Sequence, residues 1–224
     1  SQLDRSDQTA YNLRLLKGQL QSEIASIWET DELRRSKPSP VEEATGGRHV
    51  VSDVLWQAVP QFLRKLDDVC QQELGKKLPL DVTPVKLASW MGGDRDGNPN
   101  VTPEITREVA ANSREISAKL LLKDVKKLIE ELSLQKGSEE LVQATGNARE
   151  PYRHVLRALR DSLISTKKWA KHGCYNSSNN CGPPANILTS NDQVMEPLLM
   201  LHRSLVSIGR PEIADGALTD TIRR

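Results

Sequence analysis

A short polar segment rich in glycine, residues 89–102, constrains the fold of this chain more than any other stretch. It lies between a brief apolar run, residues 82–88, and a long helical pattern that begins at Pro103. The segment therefore connects an extended stretch to a helix. Its glycines allow positive φ angles and a close approach of the backbone to another group. These glycines are Gly92, Gly93 and Gly97.

The polar side chains of this segment suit the recognition of a small anion or a charged substrate. They are Asp94, Arg95, Asp96, Asn98 and Asn100. The alternative is a capped turn in which the Asp and Asn side chains only bond to their own backbone. The residue types alone leave both interpretations open.

Most of the remaining sequence has apolar residues spaced three and four apart, which predicts amphipathic helices. The predicted helices cover residues 7–28, 51–74, 103–137, 138–146, 151–171, 190–208 and 215–224. Pro60 is expected to kink or divide the second helix, and Gly46 with Gly47 is interpreted as a hinge before it. Thr102 as N-cap fixes the start of the helix at residue 103, whose positive end faces the polar segment and favours an anion there.

Residues 78–90 contain β-branched residues and two prolines and are too short for a helix, so they predict a strand. A single strand cannot satisfy its own backbone groups. The strand should therefore pair with segments outside this chain, and we expect the chain to be an internal piece of a larger fold.

The charge balance excludes some classes of partner. The 224 residues include 31 Lys and Arg against 30 Asp and Glu, so there is no overall field for nucleic acid or anionic lipid. No apolar run is long enough to span a membrane, and no signal peptide is visible. The three cysteines, Cys70, Cys174 and Cys181, are an odd number and predict free thiols in a reducing compartment.

No metal site is predicted within the chain. The run from Asp94 resembles the start of a calcium-binding loop, but its sixth position is Pro99 and its twelfth is Ile105, where glycine and glutamate are needed. The spacing around Cys174 and Cys181 matches no zinc pattern. None of the four histidines lies in the setting of an activated nucleophile.

A basic cluster follows the first predicted helix. Arg34, Arg35 and Lys37 lie at a break that contains two prolines. They could cradle a phosphate, but a solvated turn paired with neighbouring acidic residues is the preferred interpretation.

The letters SWMGGDRDGNPNVT at residues 89–102 resemble a signature of phosphoenolpyruvate carboxylase. Further blocks resemble the same family in the same order, so the resemblance covers nearly the whole chain. They are residues 28–34, 37–44, 55–60, 150–153 and 218–224.

This resemblance implies a lyase that adds bicarbonate to phosphoenolpyruvate and releases oxaloacetate and phosphate, a carbon dioxide fixation that supplies the tricarboxylic acid cycle. It implies Mg²⁺ or Mn²⁺ as cofactor and a cytoplasmic homotetramer. The implied fold class is mainly α, a helical fragment of a TIM-type α/β barrel that carries one barrel strand. Residues 1–224 would be part of a single domain, with helices before about residue 78, the strand and active-site loop at 82–102, and helices at 103–224.

The resemblance also assigns candidate site residues. Trp90 would belong to the pocket for bicarbonate and phosphoenolpyruvate, and Arg95 would be the cation for a phosphate or carboxylate, so both are catalytic candidates. The substrate-binding set is Trp90, Gly92, Gly93, Asp94, Arg95, Asp96 and Asn98. Of these, Asp94, Asp96 and Asn98 are expected to position Arg95 and fix the loop. Arg34 matches an arginine that binds a sugar-phosphate activator in plant members of the family.

The catalytic histidine and the metal-binding acids of the family have no counterpart in residues 1–224. We therefore expect the chain alone to be inactive and marginally folded, with the metal ligands elsewhere. The alternative is a non-catalytic helical interaction module that retains the loop without its chemistry.

Overall fold

A computed structural model describes residues 9–30, 37–172 and 185–224. These residues are mainly helical, and none of them forms a strand. The helices are α1 (Ala10–Glu29), α2 (Pro40–Val50), α3 (Trp56–Leu74), α4 (Pro103–Glu131), α5 (Glu139–Ala144), α6 (Pro151–His172), α7 (Asp192–Ser207), α8 (Pro211–Ile213) and α9 (Thr219–Ile222). Two π-helical turns cover Val51–Leu55 and Ala214–Leu218. The chain divides into two compact units, Ser1–Lys37 and Pro38–Arg224.

The described part of the first unit contains α1, which confirms the first predicted helix. The Thr9 hydroxyl accepts a hydrogen bond from the Asn12 backbone N–H at 3.2 Å and caps the helix. No residue of α1 is buried, and the Trp28 side chain is 85% exposed. The apolar stripe that predicted this helix is therefore solvent-exposed in the described part of its unit.

The core of the second unit lies where α4 packs along α6, with α7 and the last helical turns closing it. Its largest fully buried side chains include Tyr152, Leu128, Leu156, Leu163, Leu198 and Leu201. A polar contact crosses this core, because the hydroxyls of Tyr152 and Ser204 are 2.8 Å apart. Ser204 Oγ also accepts from the Ser138 backbone N–H at 2.9 Å. The buried hydroxyls are thus satisfied, as burial requires.

Side-chain caps fix several helix starts where the sequence predicted them. Thr102 Oγ1 accepts from the Ile105 N–H at 3.4 Å, and Ser138 Oγ accepts from the Leu141 N–H at 3.3 Å. The helices that begin at residues 103, 139 and 151 are confirmed. The α4 helix ends at Glu131, however, and not at Gly137 as predicted.

The predicted hinge at Gly46 and Gly47 is wrong, because both residues lie inside α2. A π-helical turn joins α2 to α3, so residues 40–74 follow one continuous helical path. Pro60 lies buried within α3 and does not divide it. Since proline has no N–H, the carbonyl of Trp56 loses its helical partner, and Arg224 Nε donates to it at 2.9 Å instead.

The predicted strand does not form among the described residues. No backbone-to-backbone hydrogen bond involves residues 83–89 in this part of the chain. Val82 and Leu87 are 42% and 55% exposed. A strand is defined by bonds to a neighbouring strand, and no described segment supplies one. Its pairing with segments outside the chain stays a prediction.

Charged contacts tie α3 to the last described residues. Arg223 Nη2 lies 3.0 Å from Asp67 Oδ2, and the two side chains are 8% and 9% exposed. Asp67 Oδ1 also accepts from the Leu78 N–H at 2.7 Å. Arg64 Nε lies 2.6 Å from Asp220 Oδ1. Within the described ranges, no helix is long and apolar enough to cross a membrane.

Candidate functional site

The polar segment begins with a tight turn. The backbone N–H groups of Gly93 and Asp94 both donate to the Trp90 carbonyl, at 3.0 Å and 2.9 Å. Gly92 takes a φ of 74° at the centre of this turn, a left-handed conformation that favours glycine. The turn therefore depends on the glycine that the sequence indicated.

A second turn follows it directly. The Asn98 N–H donates to the Arg95 carbonyl, and the Val101 N–H donates to the Asn98 carbonyl at 3.1 Å. The Asn98 side-chain oxygen accepts from the Asn100 N–H at 3.1 Å. Gly97 has a φ of 72°. Two consecutive turns thus present the backbone of residues 90–101 in a defined shape.

The first turn contacts two helices at neighbouring residues. The Met91 side chain lies against Gly47 of α2, where an added Cβ would come within 2.0 Å of Met91 Cε. Gly92 lies against Val109 of α4, and an added Cβ would come within 2.6 Å of Val109 Cγ2. Thr106 Oγ1 donates to the Gly92 carbonyl at 2.8 Å. The positive φ and the contact with the stiff Val109 side chain explain why residue 92 is glycine, whereas at Gly47 the flexible end of Met91 could move aside.

Most of the candidate recognition residues are more exposed than Met91 and Gly92. Trp90 is 72% exposed. Asp94, Arg95 and Asp96 are exposed as well, and Asn98 is half-buried. The structure thus places the predicted site residues on one continuous loop, with charged side chains of both signs facing solvent.

The N-terminus of α4 is partly occupied by its own residues. The Thr102 hydroxyl takes the Ile105 N–H. A hydrogen bond from its own backbone N–H is the main cause that holds the pKa of Glu104 below its usual value, followed by the Thr102 hydroxyl. The charges of Arg107 and Arg95 lower that pKa further. An anionic ligand at this helix end would meet a carboxylate already in place.

An apolar groove of about 590 Å³ opens beside Trp90, between residues 87–91, the end of α2 and one side of α4. Its lining includes Val51, Leu55, Trp90, Met91, Ile116 and Leu120. Arg48 also lines it, with Nη2 donating to Thr45 Oγ1 at 2.6 Å.

Arg48 was not anticipated from the sequence. Its Nε and Nη1 atoms are buried and have no hydrogen-bond partner among the described residues. Burial lowers the pKa of Arg48, and the carboxylate of Glu108 partly opposes that effect. No sequence signal distinguishes this residue from any other arginine near a helix end.

The described residues do not form a metal site. Across residues 9–30, 37–172 and 185–224, no three His, Cys, Asp or Glu side chains lie close enough to hold an ion. Asp94 and Asp96 on the loop are exposed and lack a third carboxylate or imidazole nearby. A divalent cation does not fit this donor set. Arg34, the candidate activator-binding residue, lies outside the described ranges.

Comparison with known proteins agrees with the motif. The family model for phosphoenolpyruvate carboxylase matches residues 1–224. The phosphoenolpyruvate carboxylase of Ectopseudomonas mendocina is 46% identical over 222 residues, which cover 99% of this chain and 25% of that protein. The enzymes of Acinetobacter baumannii and Hahella chejuensis are each 44% identical, over 225 and 222 residues, again across 25% of their own length. The chain thus spans about a quarter of the length of these relatives.

Proposed function

Because the chain belongs to the phosphoenolpyruvate carboxylase family, we propose that it supplies one wall of a carboxylase active site within a longer polypeptide. The proposed reaction joins bicarbonate to phosphoenolpyruvate and releases oxaloacetate and inorganic phosphate, which fixes carbon for the tricarboxylic acid cycle. The observation that carries the proposal is the loop at residues 90–101. Its backbone is held by two turns and two helices, while Trp90 and Arg95 remain free to meet a ligand.

Arg95 is the proposed anion-binding group. Its guanidinium is planar and presents paired N–H donors, a geometry that matches a phosphate or a carboxylate. The side chain is exposed, so a ligand reaches it without displacing the core. Asp94, Asp96 and Asn98 hold the loop and orient the guanidinium. Gly93 is exposed and lets the backbone come close to the substrate, whereas Gly92 is buried against Val109 and holds the turn.

Trp90 is the proposed wall of the pocket. A large flat apolar side chain next to a cationic group excludes water from the reacting atoms, which strengthens electrostatic contacts there. Trp90 is 72% exposed in this chain, so in the proposed enzyme its indole is covered by substrate or by other segments.

We further propose that residues 82–90 pair as one strand of a TIM-type barrel, inside a single domain that includes all of residues 1–224. Residues 83–89 make no backbone-to-backbone hydrogen bond among the described residues, and the exposed side chains of Val82 and Leu87 support the same pairing. The loop would then follow the carboxyl end of a barrel strand, where such barrels carry their active sites.

The proposal includes a divalent cation, Mg²⁺ or Mn²⁺, which in such an enzyme would stabilise negative charge on the substrate. The described residues do not fit it, so its ligands are proposed to lie in other parts of the polypeptide. A cytoplasmic homotetramer is the proposed assembly, on the grounds of family membership alone.

The test is a steady-state assay of oxaloacetate and phosphate with the full-length protein that carries this chain. Arg95→Lys keeps the charge but loses the planar fork, so kcat/KM should fall by about 10- to 100-fold, the equivalent of one charge-assisted contact. The matched control is Arg107→Lys, since Arg107 is 61% exposed on the neighbouring helix and, among the described residues, forms its ion pair with Glu104. This control should stay within about twofold of the wild type.

Trp90→Ala should impair the use of bicarbonate. Water would then hydrolyse phosphoenolpyruvate to pyruvate and phosphate, so phosphate should exceed oxaloacetate. Wild-type kinetics in a folded Arg95→Lys protein would remove Arg95 from the site. A full-length wild-type protein without carboxylase activity would instead favour a non-catalytic helical interaction module. Residues 1–224 alone should give no oxaloacetate.

A further inference from the structure

The loop that carries Trp90 and Arg95 is held through the two residues that follow Trp90. Met91 packs on α2 and Gly92 packs on α4. We propose that Gly47, Met91 and Thr106 are positioning residues for Trp90 and Arg95. This role rests on the proposed function of the loop. The packing contacts and the hydrogen bond do not depend on that function.

Gly47 accommodates Met91. An added Cβ at Gly47 would lie 2.0 Å from Met91 Cε and 2.9 Å from Met91 Sδ, closer than atoms can approach. Gly46, its neighbour in the same helix, has no atom within 4 Å of an added Cβ. Glycine inside a helix is unfavourable relative to alanine. A methyl group at Gly47 would therefore displace the flexible end of Met91, and a methyl group at Gly46 would displace nothing.

Thr106 fixes the turn from the other side. Its hydroxyl lies 2.8 Å from the Gly92 carbonyl and 3.2 Å from the Thr102 carbonyl of its own helix. A hydroxyl has a single hydrogen, and the shorter distance favours the bond to Gly92. That bond joins the first turn of the loop to the first turns of α4.

The indole of Trp90 is placed by its backbone. Its side chain is 72% exposed and makes no hydrogen bond to any described residue. The Trp90 carbonyl, by contrast, accepts the N–H groups of Gly93 and Asp94. Arg95 is also exposed and follows the same turn. The orientation of both side chains therefore depends on how firmly Met91 and Gly92 are held.

The first test measures amide hydrogen exchange of peptides that cover residues 91–97 in the full-length protein. Gly47→Ala should displace the flexible end of Met91 and speed exchange by about two- to threefold, because a movable side chain relieves most of the overpacking. Gly46→Ala is the matched control and should not speed it. In a Met91→Ala background, adding Gly47→Ala should change nothing further, because the atoms that collide are gone. Equal effects in both backgrounds would overturn the proposal.

The second test compares Thr106→Val with Thr106→Ser. Valine keeps the shape and removes the hydroxyl, while serine keeps the hydroxyl. We expect Thr106→Val to lower kcat by about three- to tenfold, the loss of one neutral hydrogen bond, with the KM for phosphoenolpyruvate much less affected. Thr106→Ser should restore kcat. Faster exchange in Thr106→Val with wild-type kinetics would refute the positioning role.

The two tests separate this proposal from the proposed function. A full-length wild-type protein without carboxylase activity would refute the function and with it the proposal that the three residues position a catalytic loop. The exchange measurements would still show whether they hold the turn.

Discussion

Gly92 offers a quantitative test of how the loop is built. It combines a φ of 74° with close contact to Val109, and an added Cβ would lie 2.6 Å from Val109 Cγ2, 3.0 Å from Cβ and 3.1 Å from Cγ1. Val109 is β-branched and helical, so its side chain has essentially one rotamer and cannot turn away. Gly97 has a φ of 72° but nothing within 4 Å. An alanine at either position would therefore have the same strained backbone, but only an alanine at residue 92 would collide with Val109.

The magnitudes follow from these two terms. A left-handed alanine costs about 1–2 kcal/mol, which is the whole expected loss for Gly97→Ala. Gly92→Ala adds overpacking of about 1–3 kcal/mol, for a total near 2–5 kcal/mol. Replacing glycine with alanine also lowers the conformational entropy of the unfolded chain, which stabilises the folded state. This effect is the same in both variants and cancels when their free energies of unfolding are compared. For a chain of this size, each kcal/mol lowers Tm by about 2–4 °C.

The assay is thermal unfolding by circular dichroism, with chemical denaturation to give the free energy of unfolding. The double variant Gly92→Ala with Val109→Ala removes the two Cγ atoms and should recover about 1–2 kcal/mol relative to the sum of the single changes. Equal losses for Gly92→Ala and Gly97→Ala, or a double variant that is simply additive, would show that Gly92 does not pack on α4 as described.

Three further substitutions test the polar contacts around α3 and α7. Asp67→Ala should lower the free energy of unfolding by about 3–5 kcal/mol, because it leaves the buried Arg223 guanidinium and the Leu78 N–H without their hydrogen-bond partner. Asp220→Ala should lower it by about 1 kcal/mol or less. Its partner Arg64 is 36% exposed and still donates to the carbonyls of Asp215 and Gly216. Comparable losses in urea denaturation would contradict this ranking. Burial lowers the pKa of His202 despite Asp215, whose carboxylate lies 3.9 Å from Nε2. The His202 imidazole therefore binds a proton more tightly in the unfolded chain than in the folded one. Its contribution to the free energy of unfolding is fully present above about pH 6.5, and it is lost as the pH falls toward the lower pKa of the folded state. His202→Gln should flatten the Tm profile across that window, and an unchanged slope would exclude His202 as its source.

Sequence rules succeeded where the cause is local. The start of α4 was predictable because Thr102, Pro103 and Glu104 each favour a helix N-terminus within a few residues. The polar loop was predictable because its glycines and Asx residues form turns by themselves. The family motif then supplied roles for Trp90 and Arg95 that no local rule contains.

The failures have causes that lie far away in the chain. Neither Gly46 nor Gly47 is a hinge, because both lie inside α2, and only the position of Met91 distinguishes Gly47 as a contact. The strand predicted at residues 78–90 does not form among the described residues, because strand formation depends on a neighbour. Arg48 was missed since its burial arises from the packing of α2 near α4.

The carbonyl of Trp56, freed by Pro60 and bonded by Arg224, affects the order of folding. That bond joins residues 168 apart, and the contacts of Arg64 with Asp220 and of Asp67 with Arg223 each join residues 156 apart. Closing so long a loop is entropically costly, so these contacts are expected to form late. During synthesis, α3 is expected to leave the ribosome with the Asp67 carboxylate and the Trp56 carbonyl still exposed to water, because their partners near the end of the chain are not yet made. The nearer pair, α4 and α6, can pack before residues 220–224 arrive to dock α3.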